Sequence, residues 1–218
     1  MLDGPRLAPA SGGPARKLVI LLHGVGANGR DLIDIGAHWA PIFPDAAFAA
    51  PDAPDPSDWD PAMRQWFRLG VRDAHEYWLG AAAAAPKLDA FIDAELAHHG
   101  LVDADLALVG FSQGTMMALQ VGPRRARPMA GIIGYSGRIA GPERLAAEAR
   151  SRPPVLLVHG AQDEVIPVAA LAETAAVLRG AGFRVETIER PGLPHGIDAV
   201  GLSAGAAFLR QVFGTAAA

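Results

Sequence analysis

Ser112 stands between two glycines, in Gly110-Phe111-Ser112-Gln113-Gly114. A hydroxyl in this G-x-S-x-G spacing suits attack on a carbonyl when a very tight strand-to-helix turn carries it. Only residues without a side chain let the flanking backbone pass that closely. A serine hydroxyl also needs a base to take its proton, and the base needs a third group to fix its tautomer and steady its charged form. Two later loops supply candidates. Gly160-Ala161-Gln162-Asp163-Glu164-Val165-Ile166-Pro167 places Asp163 just past an apolar run, with Glu164 directed elsewhere. Arg190-Pro191-Gly192-Leu193-Pro194-His195-Gly196 places His195 in a stiff loop that opens the last helix. A second G-x-S-x-G, Gly201 to Gly205, follows no apolar run, and neither His nor Asp lies beyond it. Ser203 is therefore read as a small residue on a closely packed helix.

These residues can act together only if the chain's elements bring them to one edge. Leu106–Val109 is a short apolar run of the kind a buried parallel strand shows, and Thr115–Val121 continues as helix with Gly122 just past its end. Leu18–Leu22, Ala46–Ala50, Gly131–Tyr135, Val155–His159 and Arg184–Glu189 also read as buried strands. Helical patterning falls at Arg30–Trp39, Ala81–His98, Arg144–Arg150, Ala169–Arg179 and Ala199–Val212. Alternating strands and helices imply a mainly parallel sheet covered on both faces. Sites in such sheets lie beyond the carboxyl ends of the strands, where Ser112, Asp163 and His195 all fall.

The first strand leads into His23-Gly24-Val25-Gly26-Ala27-Asn28-Gly29. This contains G-x-G-x-x-G, and Asp52 lies near the end of the second strand, so a dinucleotide site is one reading. The other is an oxyanion loop, in which glycines admit the substrate and the Val25 N–H faces the reacting oxygen. Pro51 and Pro54 bracket Asp52, and the helix starts after the glycines rather than among them; both features favour the oxyanion reading. A proline-rich excursion follows, taken over residues 53–80. Met63, Trp66 and Phe67 on it are read as the walls of an apolar substrate pocket. His23 and His159 end strands and are read as buried supports. His98 and His99 close a helix before Gly100, and no third ligand is spaced to make them a metal pair. Arg124, Arg125 and Arg127 read as a solvated turn.

Length and composition suit one α/β domain over residues 1–218. Half the residues are hydrophobic and 19% are charged, so disorder is expected at the ends alone. The net charge of −4 gives no general reason to expect nucleic acid or an anionic membrane as partner. The chain has no cysteine, which excludes disulfides, thiolate metal sites and a Cys nucleophile and fits a cytoplasmic protein. No apolar run reaches membrane-spanning length.

Taken together, Leu22-His23-Gly24-Val25-Gly26, Gly110 to Gly114 with Met116-Met117-Ala118-Leu119, His159-Gly160 with Asp163 and Val165-Ile166-Pro167, and Pro194-His195-Gly196 resemble the phospholipase/carboxylesterase family of small α/β hydrolases, which includes acyl-protein thioesterases and bacterial carboxylesterases. The likeness runs from about Lys17 to Phe213. It implies an α/β-hydrolase fold without a separate cap domain, with Ser112, Asp163 and His195 as triad and the Val25 and Gln113 N–H groups as oxyanion hole. It implies no cofactor and no metal. The expected activity is hydrolysis of small carboxylic esters with short to medium acyl chains. An acyl thioesterase or lysophospholipase of the same fold, an NAD-binding oxidoreductase using Gly24–Gly29, and a binding protein that has lost turnover are the alternatives. One departure is Arg68, which follows Trp66-Phe67 where the family often has aspartate. A monomer and a homodimer are both left open.

Overall fold

The computed structural model describes residues 1–214. Seven strands form the main sheet: β1 (Arg6–Leu7), β2 (Lys17–Leu22), β3 (Ala46–Ala49), β6 (Leu106–Phe111), β7 (Gly131–Tyr135), β8 (Val155–Gly160) and β9 (Val185–Arg190). Their order is β1-β3-β2-β6-β7-β8-β9, with β1 antiparallel to β3 and all other pairs parallel. Successive side chains on a strand point to opposite faces, and both faces here are covered. Leu18, Ile20, Leu22, Leu106 and Leu108 enter one core, with α2 (Ala74–His99), α3 (Gln113–Val121) and α5 (Ala169–Gly180). Val19, Leu21, Ala107 and Val109 enter the other, with α1 (Gly29–Trp39) and α6 (Ala199–Phe213). That is why these runs are apolar throughout rather than alternating. This is the α/β-hydrolase fold.

The chain steps from β2 outward to β3, then returns to place β6 on the other side of β2, pairing Leu22 with Gly110. The direction of winding reverses there, which opens a crevice at the carboxyl ends of β2 and β6.

Four sequence expectations need correction. The polar opening segment is not loose: Arg6 and Leu7 pair with Ala49 and Phe48, and Arg6 reaches Glu95 at 2.7 Å. The last strand is not buried. β9 is an edge, and its Glu186 and Glu189 are exposed, the charged pattern that keeps an open edge from pairing further. α2 starts at Ala74 rather than Ala81, because Asp73 caps it by accepting from the Glu76 N–H, so the excursion ends at Asp73. Within the excursion β4 (Asp55–Pro56) and β5 (Arg64–Gln65) form a small hairpin. Finally, Arg125 is not in a solvated turn: its guanidinium is nearly buried among Asp89, Asp93 and Asp103.

α4 (Leu145–Glu148) is a single turn within the longer segment expected there. Ser203 lies exposed on α6 and donates to Ala199 O at 2.9 Å. The glycines around it serve packing, since a Cβ on Gly205 would collide with the Tyr135 hydroxyl and the Trp39 ring.

Candidate active site

β6 ends at Phe111 and α3 begins at Gln113, so a single residue makes the turn. Ser112 sits there at φ 53°, ψ −115°, a conformation side-chain-bearing residues rarely adopt. A Cβ on Gly110 would strike Gly114, and one on Gly114 would strike the Leu22 carbonyl, so the glycines of the motif are needed for close approach. Ser112 N–H donates to Tyr135 O at 2.9 Å, tying the turn to β7.

The structure joins Asp163 and His195 directly. His195 Nδ1 lies 2.7 Å from Asp163 Oδ2, and the aspartate side chain is fully buried. Its Oδ1 accepts from Val165 N–H at 2.9 Å and Ile166 N–H at 2.8 Å. Burial alone would raise the Asp163 pKa. The hydrogen bonds from Ile166, His195 and Val165 outweigh it and hold the carboxyl below its ordinary value. A carboxylate accepts only, so His195 Nδ1 carries the proton and Nε2 keeps a lone pair. His159 Nε2 lies 2.8 Å from Ile166 O and 3.2 Å from Asp163 Oδ2; with acceptors on both sides, it must donate. Two backbone donors besides His195 thus hold one aspartate, with His159 Nε2 close by. The His195 ring packs 4.9 Å from the ring of Phe111, the residue before Ser112.

The β2 loop closes the site from the other side. A Cβ on Gly24 would press on Ser112 Cβ at 3.2 Å, so Gly24 lies against the serine. His23 is wholly buried: its Nε2 accepts from Ala53 N–H at 2.9 Å and its Nδ1 donates to Gly24 O at 2.7 Å. Burial pushes its pKa down, in keeping with a neutral ring. Among the described residues neither the Val25 N–H nor the Gln113 N–H meets a protein acceptor. Gln113 opens α3, where such N–H groups are free and the helix dipole favours negative charge. The supposed dinucleotide loop is already filled: Gly29 N–H donates to Asp52 at 2.8 Å, and Asn28 caps α1. Asp52 is a helix cap, not a ribose ligand.

A small cavity of about 50 Å³ lies above Ser112, lined by Val25, Trp59, Leu69, Arg72, Tyr77, Gln113, Met116, Val165 and Ile166. Met63, Trp66 and Phe67 are not on it. Trp66 and Phe67 are buried in the core, where the Trp66 indole N–H donates to His23 O at 2.9 Å. Met63 is half-buried with its sulfur 3.5 Å from Asn28 Nδ2. The Gln113 side chain clasps this aromatic pair, accepting from Trp66 N–H at 2.8 Å and donating to Phe67 O at 2.7 Å. These aromatics brace the site instead of lining it. Arg68 pairs with Asp58 at 2.8 Å on the outside of the excursion.

Among the described residues three that are not glycine have positive φ: Arg72, Ser112 and Ser136. Arg72 and Ser112 line the cavity, and Ser136, just after β7, donates its hydroxyl to Gly196 O at 3.1 Å beside His195. Backbone strain of this kind persists where surrounding structure imposes it, and it gathers at functional sites. Ser136 could have been picked out in sequence by the same rule that selected Asp163, as a residue following a central strand. Ser136→Gly relieves its φ of 45° but cuts the tie to the histidine loop. The melting temperature is expected to hold or rise while kcat falls roughly tenfold, since small misplacements of a catalytic group are costly. An unchanged kcat would show that the loop needs no such tie.

A model of the phospholipase/carboxylesterase family matches residues 8–213. The chain belongs to that family. Its enzyme class is that of the carboxylic ester hydrolases. Esterase YpfH of Escherichia coli K12 is 31% identical over 187 residues, covering 85% of this chain and 78% of that protein. Acyl-protein thioesterase 1 of Gibberella zeae is 28% identical over 210 residues, covering 88% and 89%. The crystal structure of esterase PE8 superposes with a TM-score of 0.93 at 45% identity, covering 97% of this chain and 99% of that one. Among the described residues no helix is long and apolar enough to cross a membrane.

Proposed function

We propose that this family member is a serine carboxylesterase in which Ser112 is the nucleophile, His195 the base and Asp163 the group that orients it. The observation that carries this reading is the 2.7 Å contact of His195 Nδ1 with a buried, ionised Asp163, beside a serine held in a strained turn. His195 Nε2 takes the Ser112 proton as the oxygen attacks the ester carbonyl. The Val25 and Gln113 N–H groups receive the oxyanion, and Asp163 steadies the imidazolium. His195 then gives the proton to the leaving alcohol, and water releases the acid by the same steps in reverse order. The protein's own groups suffice for each proton transfer. A cysteine-free chain suits the cytoplasm, where we place the enzyme, and its partner is a small-molecule ester.

The small cavity supports short to medium acyl chains as substrates. Each methylene buried in an apolar cleft gains about 0.8 kcal/mol until the cleft is full. On p-nitrophenyl esters kcat/KM is expected to climb over the first carbons and then decline. Trp59 is exposed and its ring lies over Gly26, so it limits the mouth. Trp59→Ala is expected to move the optimum to longer chains. Steady improvement up to long-chain esters in the wild type would refute the loop-walled cleft. Thioesters of matched length belong in the same panel, because the same relay can act on them and the acyl-protein thioesterase likeness covers most of the chain. Comparable kcat/KM on both series would widen the assignment to acyl transfer to water in general.

A further inference from the structure

Besides Ser112, the polar side chains lining the cavity are Trp59, Tyr77, Gln113, whose amide is spent on the excursion, and Arg72. Arg72 is the one charged side chain among its lining residues. Its guanidinium stands 5.6 Å from the centre of the Trp59 ring, and no carboxylate lies within ion-pair distance of it among the described residues. This differs from Arg68 nearby, which Asp58 neutralises at 2.8 Å.

The acids closest in sequence are committed to holding the loop. Glu76 accepts from the backbone N–H groups of Arg72 and Gly70, both at 2.6 Å, and of Val71 at 3.3 Å. Asp73 caps α2 by accepting from the Glu76 N–H. The result is a clamped turn that keeps Arg72 at φ 62° on the rim. Arg138, whose guanidinium is 5.9 Å from the Tyr77 ring, adds positive charge on the far side, although Glu173 lies 3.6 Å from it. Burial raises the pKa of the Tyr77 hydroxyl. Among the charges acting on it, Arg138 and Arg72 pull downward more strongly than Glu76 and Asp73 push upward. The Asp163 carboxylate is buried under His195 and shielded by its own donors.

We propose that Arg72 reads a negative charge on the substrate, so that the preferred esters carry a carboxylate a few atoms from the scissile carbonyl. This rests on the esterase reading and names its substrate class. An anion held near an apolar wall by a guanidinium forms a short, charge-assisted hydrogen bond, and an uncharged isostere leaves that bond unmade.

The carboxylate can sit on either arm of the ester, and the test separates the two. Monomethyl glutarate against its neutral monoamide places the charge on the acyl arm. Acetoxyacetate against acetoxyacetamide places it on the alcohol arm. The readout is the ratio of kcat/KM for charged over neutral ester, followed by pH-stat. In the wild type the ratio is expected to exceed one on at least one arm and to shrink with added salt. Arg72→Gln should lower it roughly tenfold, while Arg72→Lys should retain more of it than Arg72→Gln. A ratio unmoved by Arg72→Gln on both arms, with hydrolysis intact, overturns the charge assignment alone. Equal losses in Arg72→Gln and Arg72→Lys overturn it too, since charge would then not be the agent. Absence of any Ser112-dependent hydrolysis of the four esters overturns both this assignment and the esterase reading beneath it.

Discussion

Ser112→Ala is expected to abolish labelling by a fluorophosphonate and to lower kcat on p-nitrophenyl acetate by about 10⁴- to 10⁶-fold, the scale on which loss of a serine nucleophile acts in other hydrolases. The elbow should survive the change. Its geometry is imposed by glycine contacts and by the Ser112 N–H bond to Tyr135 O, neither of which uses the hydroxyl. Ser203→Ala is the matched control. That hydroxyl caps nothing and only returns to the Ala199 carbonyl of its own helix, so activity should stay near wild type. Steady-state kinetics on the two variants, with circular dichroism to confirm folding, checks both expectations.

The second large effect belongs to Asp163→Asn, which is expected to cost about 10³- to 10⁴-fold in kcat. An amide in that position can present a donor to His195 Nδ1, favouring the tautomer that carries its proton on Nε2 and cannot accept from serine. His159 also loses a charged partner, since its Nε2 lies 3.2 Å from the same carboxylate oxygen. A stability signature accompanies the kinetic one. The folded-state pKa of Asp163 lies below the ordinary carboxyl value, so its contribution is present above the unfolded pKa and is lost as pH falls through the folded one. Wild-type protein should therefore lose stability on acidification over that window, and Asp163→Asn should lose less. Thermal melts from neutral to acidic pH decide this. Parallel pH dependences in the two proteins would mean that the carboxylate is not selectively stabilised by folding.

Much of this architecture was legible in the residues. Continuous apolar runs such as Leu18–Leu22 and Leu106–Val109 are produced when a strand is buried on both faces, and both strands lie where those runs fall. The elbow could be located because its glycines have no substitute, and Asp163 and His195 could be placed at the sheet's carboxyl edge because each follows a strand. What the sequence hid depends on contacts between distant residues. Trp66 and Phe67 look like pocket walls because they are aromatic and lie on a proline-rich loop. Their burial is decided elsewhere, by the Gln113 amide and the His23 carbonyl, each far away in the chain. Arg64 similarly turns the excursion back on itself by donating to Ala53 O and Pro54 O at 2.8 Å, and its backbone pairs with Ala27 of the β2 loop. With the aromatics drawn inward, Trp59, Leu69 and Arg72 are left to line the cleft. The strand pairing of Arg6 and Leu7 was hidden for a related reason, since two residues are too few to show any periodicity.

The most direct test of the central claim is peptide mapping of the protein after reaction with a fluorophosphonate probe. The label is expected on the peptide carrying Gly110-Phe111-Ser112-Gln113-Gly114, at one per chain, and to be missing in Ser112→Ala. Label on the Ser203 peptide, or ester hydrolysis that persists in protein whose Ser112 is fully labelled by the probe, would contradict it.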